Sequence, residues 1–388
     1  MIRIEEGGIK KMNRLAKLAE EGQSIWLDNI DRAMLQNGDL EKRIAEDSLT
    51  GMTSNPTIFE KALAEGNEYD EQLTGAPQGL TPDQLFELVE TTDVQRACDL
   101  FAGVYSKTRG ADGYVSIECS PAVANDAKAT VAEAHRLWET VDRPNVMVKV
   151  PGTDEGALAV RELIAAGINV NITLLFSIDA HERVIDAYIA GLEDRVAAGN
   201  PIDHLFSVAS FFVSRVDTEI DKRLDEMVKA ANPADRDRLK MLKGRAAIAN
   251  AKLAYRLFRR KFSDDNPRWK ALHERGARLQ QPLWASTSVK NPAYRDVMYV
   301  EDLIGPDTIN TMPPGLIEAF REHGDVQRTV DKRLGAAEGL LREIEAVGIS
   351  MKDVTDKLLT DGLASFQKSF DSLTAGIETK MSSLTTAK

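Results

Sequence analysis

The chain is poor in the residues that build disulfide frameworks and metal centres. Two cysteines, Cys98 and Cys119, stand among 388 residues. That is too few for a disulfide scaffold, and no C-x-x-C is present; both read as reduced thiols of a cytoplasmic protein. The five histidines (His135, His181, His204, His273, His323) show no metal-ligand spacing, so no metal is expected. No uninterrupted apolar run is long enough to span a bilayer. The charged N-terminus (Arg3, Glu5, Glu6, Lys10, Lys11) lacks the apolar core of a signal peptide. Basic residues are in deficit: 49 Lys and Arg against 61 Asp and Glu give a net charge of −12. A general nucleic-acid binder would show a basic face, whereas an anionic small molecule needs only a few local cations. No Gly/Ser, Pro-rich or low-complexity linker divides the chain. The expectation is one domain over residues 1–388, cytoplasmic, monomeric or homodimeric, with no membrane or nucleic-acid partner.

What is present is a repeating pattern. Short apolar runs occur at 24–28, 49–56, 114–120, 145–151, 169–176, 205–213, 282–289 and 308–313. Between them lie stretches of helical periodicity, as at 155–164. Strands alternating with helices imply a mainly parallel sheet, and eight of them fit an α/β fold of the (β/α)8 barrel type. Residues 57–113 and 214–281 exceed one crossover helix and predict helical insertions. After Pro313 the pattern predicts helices at 314–323, 326–347 and 354–372, completing the outer ring and packing across the barrel. Residues 382–388 are expected to fray.

Lys149 is the residue that turns this pattern toward chemistry. In the run 145–151, Val146, Val148 and Val150 share one face, which puts Lys149 on the other with Met147. A lysine in the body of such a strand is costly unless its charge is paired or its pKa falls, and a neutral amine is a nucleophile toward carbonyls. The bland alternative is a lysine at a frayed strand end. The same parity separates Glu118 and Ser116 from Val115, Ile117 and Cys119. It also separates Asn171 and Thr173 from Val170, Ile172 and Leu174, and Ser286, Ser288 and Lys290 from Leu283, Ala285 and Val289. In a barrel the aliphatic face meets the helices, and interior polar groups near strand C-termini build active sites. Singly, each has a dull reading: Glu118 as an ion-pair partner, Asp28 as a cap, Asn171 and Thr173 as a satisfied pair, and Ser210, Phe212 and Arg215 as core, core and surface. Together they suit one chemistry. A lysine forms an iminium that acts as an electron sink for cleaving the adjacent carbon–carbon bond. Glu118 serves as the acid/base through a water that Thr173 helps hold, and Asp28 takes the substrate hydroxyl proton. Arg215 and Lys290, with Ser286, suit a phosphate.

These segments resemble the transaldolase family. The matching stretches are Thr53-Ser54-Asn55-Pro56, Val115-Ser116-Ile117-Glu118, Val148-Lys149-Val150-Pro151, Asn171-Ile172-Thr173-Leu174-Leu175-Phe176-Ser177, Ser210-Phe211-Phe212-Val213-Ser214-Arg215 and Ala285-Ser286. They run in family order, and the length and the 214–281 insert resemble the longer subgroup of actinobacteria and cyanobacteria. The resemblance implies a pentose phosphate pathway enzyme. It would move dihydroxyacetone from sedoheptulose 7-phosphate to glyceraldehyde 3-phosphate, giving erythrose 4-phosphate and fructose 6-phosphate, with no cofactor. It implies Lys149 as the Schiff-base residue, Asp28, Glu118 and Thr173 as its acid/base helpers, and Asn55, Asn171 and Ser210 on the donor hydroxyls, with Thr53 and Phe212 alongside. Arg215 would take the sugar phosphate. Two departures stand out: Gly51 where many members carry Asp, and Ala285-Ser286-Thr287-Ser288-Val289-Lys290-Asn291 where the familiar pattern is Ala-Ser-Phe-Arg-Asn. Lys290 is the substitute for that Arg.

The nearest rival is a class I aldolase like the fructose 6-phosphate aldolases, which would release free dihydroxyacetone. Glu118 and the apolar Phe212 favour transfer, because a transferase must keep water from its enamine. Deoxyribose-phosphate aldolase is more distant, its acid/base lysine having no counterpart. A non-catalytic barrel would have lost Lys149, Glu118 or Asp28. No fused isomerase domain is expected.

Overall fold

A computed structural model describes residues 13–54, 59 and 66–386. Asn55, proposed above as a substrate-binding residue, lies outside them. Eight parallel strands form a closed barrel in chain order: β1 (Gln23–Asp28), β2 (Leu49–Thr53), β3 (Val115–Glu118), β4 (Val146–Pro151), β5 (Val170–Leu175), β6 (Ser207–Phe212), β7 (Gln280–Ala285) and β8 (Thr308–Met312). All eight predicted runs are strands. Between β2 and β3 stand helices Asp70–Gly75 and Pro82–Lys107; between β6 and β7 stand Ser214–Ala230, Pro233–Leu242, Ala246–Lys261 and Pro267–His273.

The interior is plugged from below. Trp26 of β1 pairs in register with Gly51 of β2 and Thr311 of β8, and registered neighbours in parallel strands point to the same side. Its indole N–H donates to Asp112 Oδ1 at 2.9 Å, and Ser24 Oγ donates to the other Asp112 oxygen at 2.5 Å. A Cβ at Gly51 would stand 2.5 Å from the Trp26 ring. The missing side chain at Gly51 is therefore the space that the indole occupies.

Two parity expectations fail. Ser210 pairs with Leu283 and Phe212 with Ala285, so Leu283 and Ala285 face the interior, and Trp284 points outward with its ring edge-on to Phe211. Ser286 reaches the interior because its backbone kinks into the left-handed region at φ 55°. Leu174 likewise adopts φ 60°, at a register shift between Ile172 and Leu175. It leaves the face of Val170 and Ile172 and meets the last helix, where a Cβ on Gly362 would lie 3.0 Å from its methyl.

The C-terminal region also differs in its bounds. Helix Pro314–His323 is as predicted, but the next helix is Leu334–Ala346. Residues before it run as extended chain, with the N–H groups of Thr329 and Val330 donating to Ile304 O, and Arg333 turns at φ 58°. The last helix spans Met351–Thr386, through residues expected to fray. Buried Leu373 and Ile377 and the Lys380–Asp70 ion pair of 2.8 Å hold its end down.

Candidate active site

Register across three strands assembles the centre. Glu118 pairs with Lys149, and Lys149 with Asn171, so the three side chains enter the barrel side by side. Lys149 Nζ donates to Glu118 Oε2 at 2.9 Å and to Ser54 O at 2.9 Å. The side chains of the pair are only 7% and 4% exposed. The cost of burying the ammonium is thus offset by a partner carboxylate and a carbonyl. Burial pushes the Glu118 carboxyl up from its ordinary range, against the pull of Lys149. Glu118 Oε1 and Thr173 Oγ1 are buried with no hydrogen-bond partner among the described residues. Such orphaned pairs commonly mark an ordered water.

Asn171 is fully buried. Its Nδ2 donates to Ser116 Oγ at 3.0 Å, and its Oδ1 accepts from Ser210 Oγ at 2.6 Å. Asn171 therefore forms the floor and does not line the open space. Opposite, Thr53 Oγ1 donates to Asp28 Oδ1 at 3.0 Å and shares a hydrogen bond of 2.8 Å with Thr311 Oγ1.

The residues expected to serve a phosphate converge through backbone stitching. Val213 N–H donates to Ala285 O and Ser214 N–H to Ser286 O, while the two serine hydroxyls share a hydrogen bond of 3.0 Å. The start of helix Ser214–Ala230 is thereby fixed to the end of β7, placing Arg215 near Ser286. The Arg215 guanidinium stands 5.3 Å over the Phe212 ring, and burial lowers its pKa. Among the described residues it has no carboxylate partner. Phe212 packs at 5.3 Å on Phe176.

A cavity of about 430 Å³ opens at the C-terminal mouth, walled by Asp28, Thr53, Lys149, Thr173, Ser210, Phe212, Arg215, Ser286 and Lys290. Nine expected site residues thus meet in one space, with Lys290 at its exposed rim. Strand parity, a phosphate argument and, for Thr53, the family resemblance drew them from five strands, the start of helix Ser214–Ala230 and the segment after β7. The cavity also has walls that the sequence reading missed: Thr311, Pro313, Ser365 and Phe366. Thr311 follows from β8 parity once Trp26 is known to point inward. Phe366 had no local signal, being brought there by the last helix. Among the described residues, no group of three His, Cys, Asp or Glu could hold a metal.

A closed eight-stranded barrel with a buried lysine–carboxylate pair at its mouth is the architecture of an α/β barrel enzyme. The family model described as Transaldolase/Fructose-6-phosphate aldolase matches residues 25–377. A transaldolase of Trichodesmium erythraeum is 43% identical over 377 residues, covering 96% of this chain and 99% of its own length. One from Thermobifida fusca is 45% identical over 361 residues, covering 92% and 96%; "Transaldolase 1" of Streptomyces avermitilis is 44% identical over 372 residues, covering 95% and 96%. The chain belongs to the transaldolase/fructose-6-phosphate aldolase family of enzymes, and it is similar to cyanobacterial and actinobacterial members named as transaldolases.

Proposed function

We propose that this barrel transfers dihydroxyacetone between sugar phosphates through an iminium on Lys149. The observation that carries the reading is buried Lys149, paired with Glu118 behind it and facing a cavity shared with Asp28 and Arg215. Lys149 passes a proton to Glu118 at 2.9 Å, and the freed amine attacks the ketone carbon of the donor. Glu118, its carboxyl raised by burial, returns that proton to the departing hydroxyl, assisted by a water held between Glu118 Oε1 and Thr173 Oγ1. Asp28 then takes the donor hydroxyl proton, the carbon–carbon bond breaks, and the aldose leaves while the three-carbon enamine stays on Lys149. An acceptor aldehyde reverses these steps.

Thr53 orients Asp28. Asn55, Asn171 and Ser210 serve the donor hydroxyls, Asn171 from the floor through Ser210, and Arg215, Ser286 and Lys290 serve the phosphate. Phe212 shields the enamine. The donor is sedoheptulose 7-phosphate and the acceptor glyceraldehyde 3-phosphate. No cofactor takes part, and the protein works in the cytoplasm as one barrel domain, monomeric or homodimeric, without nucleic-acid or membrane partners. A net charge of −12 and the lack, among the described residues, of a helix long and apolar enough to cross a membrane support that setting.

The test is to incubate the protein with fructose 6-phosphate, reduce with borohydride and map the modified peptide. A three-carbon adduct on Lys149 is expected. No adduct, or one on another lysine, overturns the reading. Comparing dihydroxyacetone release from fructose 6-phosphate without and with an acceptor aldehyde separates transfer from the rival aldolase, which would release free dihydroxyacetone at the transfer rate.

A further inference from the structure

Lys149 and Glu118 are hydrogen-bonded, yet they face different spaces. Lys149 walls the substrate cavity, and Glu118 walls a second one of about 530 Å³ on its far side. This second cavity lies between helices Pro82–Lys107 and Ala127–Val141. Its lining is mixed: Phe86, Leu137 and Phe370 stand beside buried Glu90, Ser120, and Glu133, whose Oε1 accepts from Ser120 N–H at 2.9 Å. Its mouth is the partly exposed ion pair of Glu87 and Arg136. Glu118 is thus a septum between a substrate space flanked by Phe212 and Phe366 and a second space in which a row of carboxylates, Glu87, Glu90 and Glu133, leads toward Arg136.

The chemistry on Lys149 has a balance that bears on this wall. An ammonium and a ketone become a protonated iminium and one water. The proton goes from Lys149 to Glu118 and on to the leaving hydroxyl, the carbon–nitrogen bond forms, and the carbon–oxygen bond breaks. No net proton is gained or lost. What must cross the wall in each half-reaction is one neutral water, outward on iminium formation and inward on hydrolysis. The front is then filled by the sugar phosphate and bordered by aromatic rings.

We propose that the cavity behind Glu118 is the water port of the Lys149 reaction, with Glu90 as its inner polar lining. The proposal rests on the Lys149 reading above. The unpartnered Glu118 Oε1 is the atom that hands water from one side to the other. Burial and the neighbouring Glu118 charge keep the Glu90 carboxyl well above its usual range, with Lys149 drawing it down. That upward shift favours the protonated, hydrogen-bonding form of Glu90 over a second carboxylate competing for the lysine.

The experiment runs the full-length protein with fructose 6-phosphate in ¹⁸O-labelled water. It measures label uptake at the ketone of recovered substrate relative to carbon–carbon cleavage, after subtracting enzyme-free exchange. Wild type is expected to exchange its oxygen at each reversible dehydration. Glu90→Leu, which makes the port apolar, and Glu87→Trp, which narrows its mouth, are expected to lower the uptake-to-cleavage ratio several-fold, because trapped water returns to the carbon it left. An unchanged ratio in both variants overturns the port. Glu87→Trp lies at the partly exposed rim and keeps the test decisive if Glu90→Leu does not fold. Failure of borohydride to trap Lys149 in wild type would instead sink the Lys149 reading itself.

Discussion

At the scale of single residues, Glu118 carries the heaviest demand. It pairs with buried Lys149 and lines the cavity behind it, and in the proposed reaction it also holds a proton in transit. A glutamine there keeps the shape and can still accept from Lys149 Nζ, but it can neither take nor return a proton. Glu118→Gln is expected to lower kcat by roughly 10²–10⁴, the usual range for a lost general acid/base. The KM for phosphorylated donors should change little, because Arg215 and Lys290 are untouched. Steady-state kinetics with slow accumulation of the borohydride adduct would show this. A raised KM with unchanged kcat would make Glu118 a binding group only. The legibility of these residues follows from physics: a polar side chain on the inner face of a strand near its C-terminal end stands out because burial there is costly. Asp28, Glu118, Lys149, Thr173 and Ser210 could be found that way. Trp26 could not, since an indole pointing into a barrel and one packed under a helix look alike in sequence. Its direction appears only through the absence of a Cβ at Gly51.

At the scale of elements, parity served β3 and β4 well and misled at β5 and β7. The reason is that the lower interior of the barrel is itself apolar. Leu283 and Ala285 lie inside and Trp284 outside, so an aliphatic face does not identify the helix side. Backbone kinks at Leu174 and Ser286 then break the two-residue period that the argument assumed. The loop after β7 is held instead by side chains no periodicity reveals. Tyr299 OH donates to Asp217 Oδ2 at 2.9 Å, and Tyr294 OH donates to Asp221 Oδ2 at 2.5 Å. These bonds tie the segment following Lys290 to the helix that carries Arg215. Burial pushes Asp217 up to about 6 from its ordinary 3.8. Between those values the folded state holds a proton that the unfolded chain has released, so this group's stabilisation is lost as pH rises through about 6. Asp217→Asn keeps one carbonyl oxygen to accept from the Ala247 N–H, can donate from its Nδ2 to the Tyr299 oxygen, and carries no charge. Its stability relative to wild type is expected to climb between pH 4 and 7 by up to roughly 3 kcal/mol, read from thermal or urea melts across that range. A constant offset with pH would mean that Asp217 is ionised in the fold at no cost.

At the scale of the whole molecule, the last helix converts an open barrel mouth into a partly roofed one. It is anchored near its end by Lys380 on Asp70 and by Thr374 donating to Asp83 at 3.0 Å. Midway, Gly362 admits Leu174 to within contact distance. Between these points Phe366 is laid beside the cavity, across from Phe212 and Arg215. Two phenyl rings on different elements suit the proposed reaction, in which an enamine waits for an aldehyde without meeting water. Phe366 makes no hydrogen bond that a substrate would lose, so its truncation should leave donor binding nearly intact and change the fate of the intermediate. Phe366→Ala is therefore expected to raise the release of free dihydroxyacetone from fructose 6-phosphate several-fold relative to transfer, with KM for the donor little changed. The measurement is the ratio of glyceraldehyde 3-phosphate formed without acceptor to product formed with erythrose 4-phosphate present. A fall in both rates at a constant ratio would show that the helix only braces the barrel. A shift of the ratio toward release would show that the residue farthest along the chain from Lys149 decides between transfer and hydrolysis.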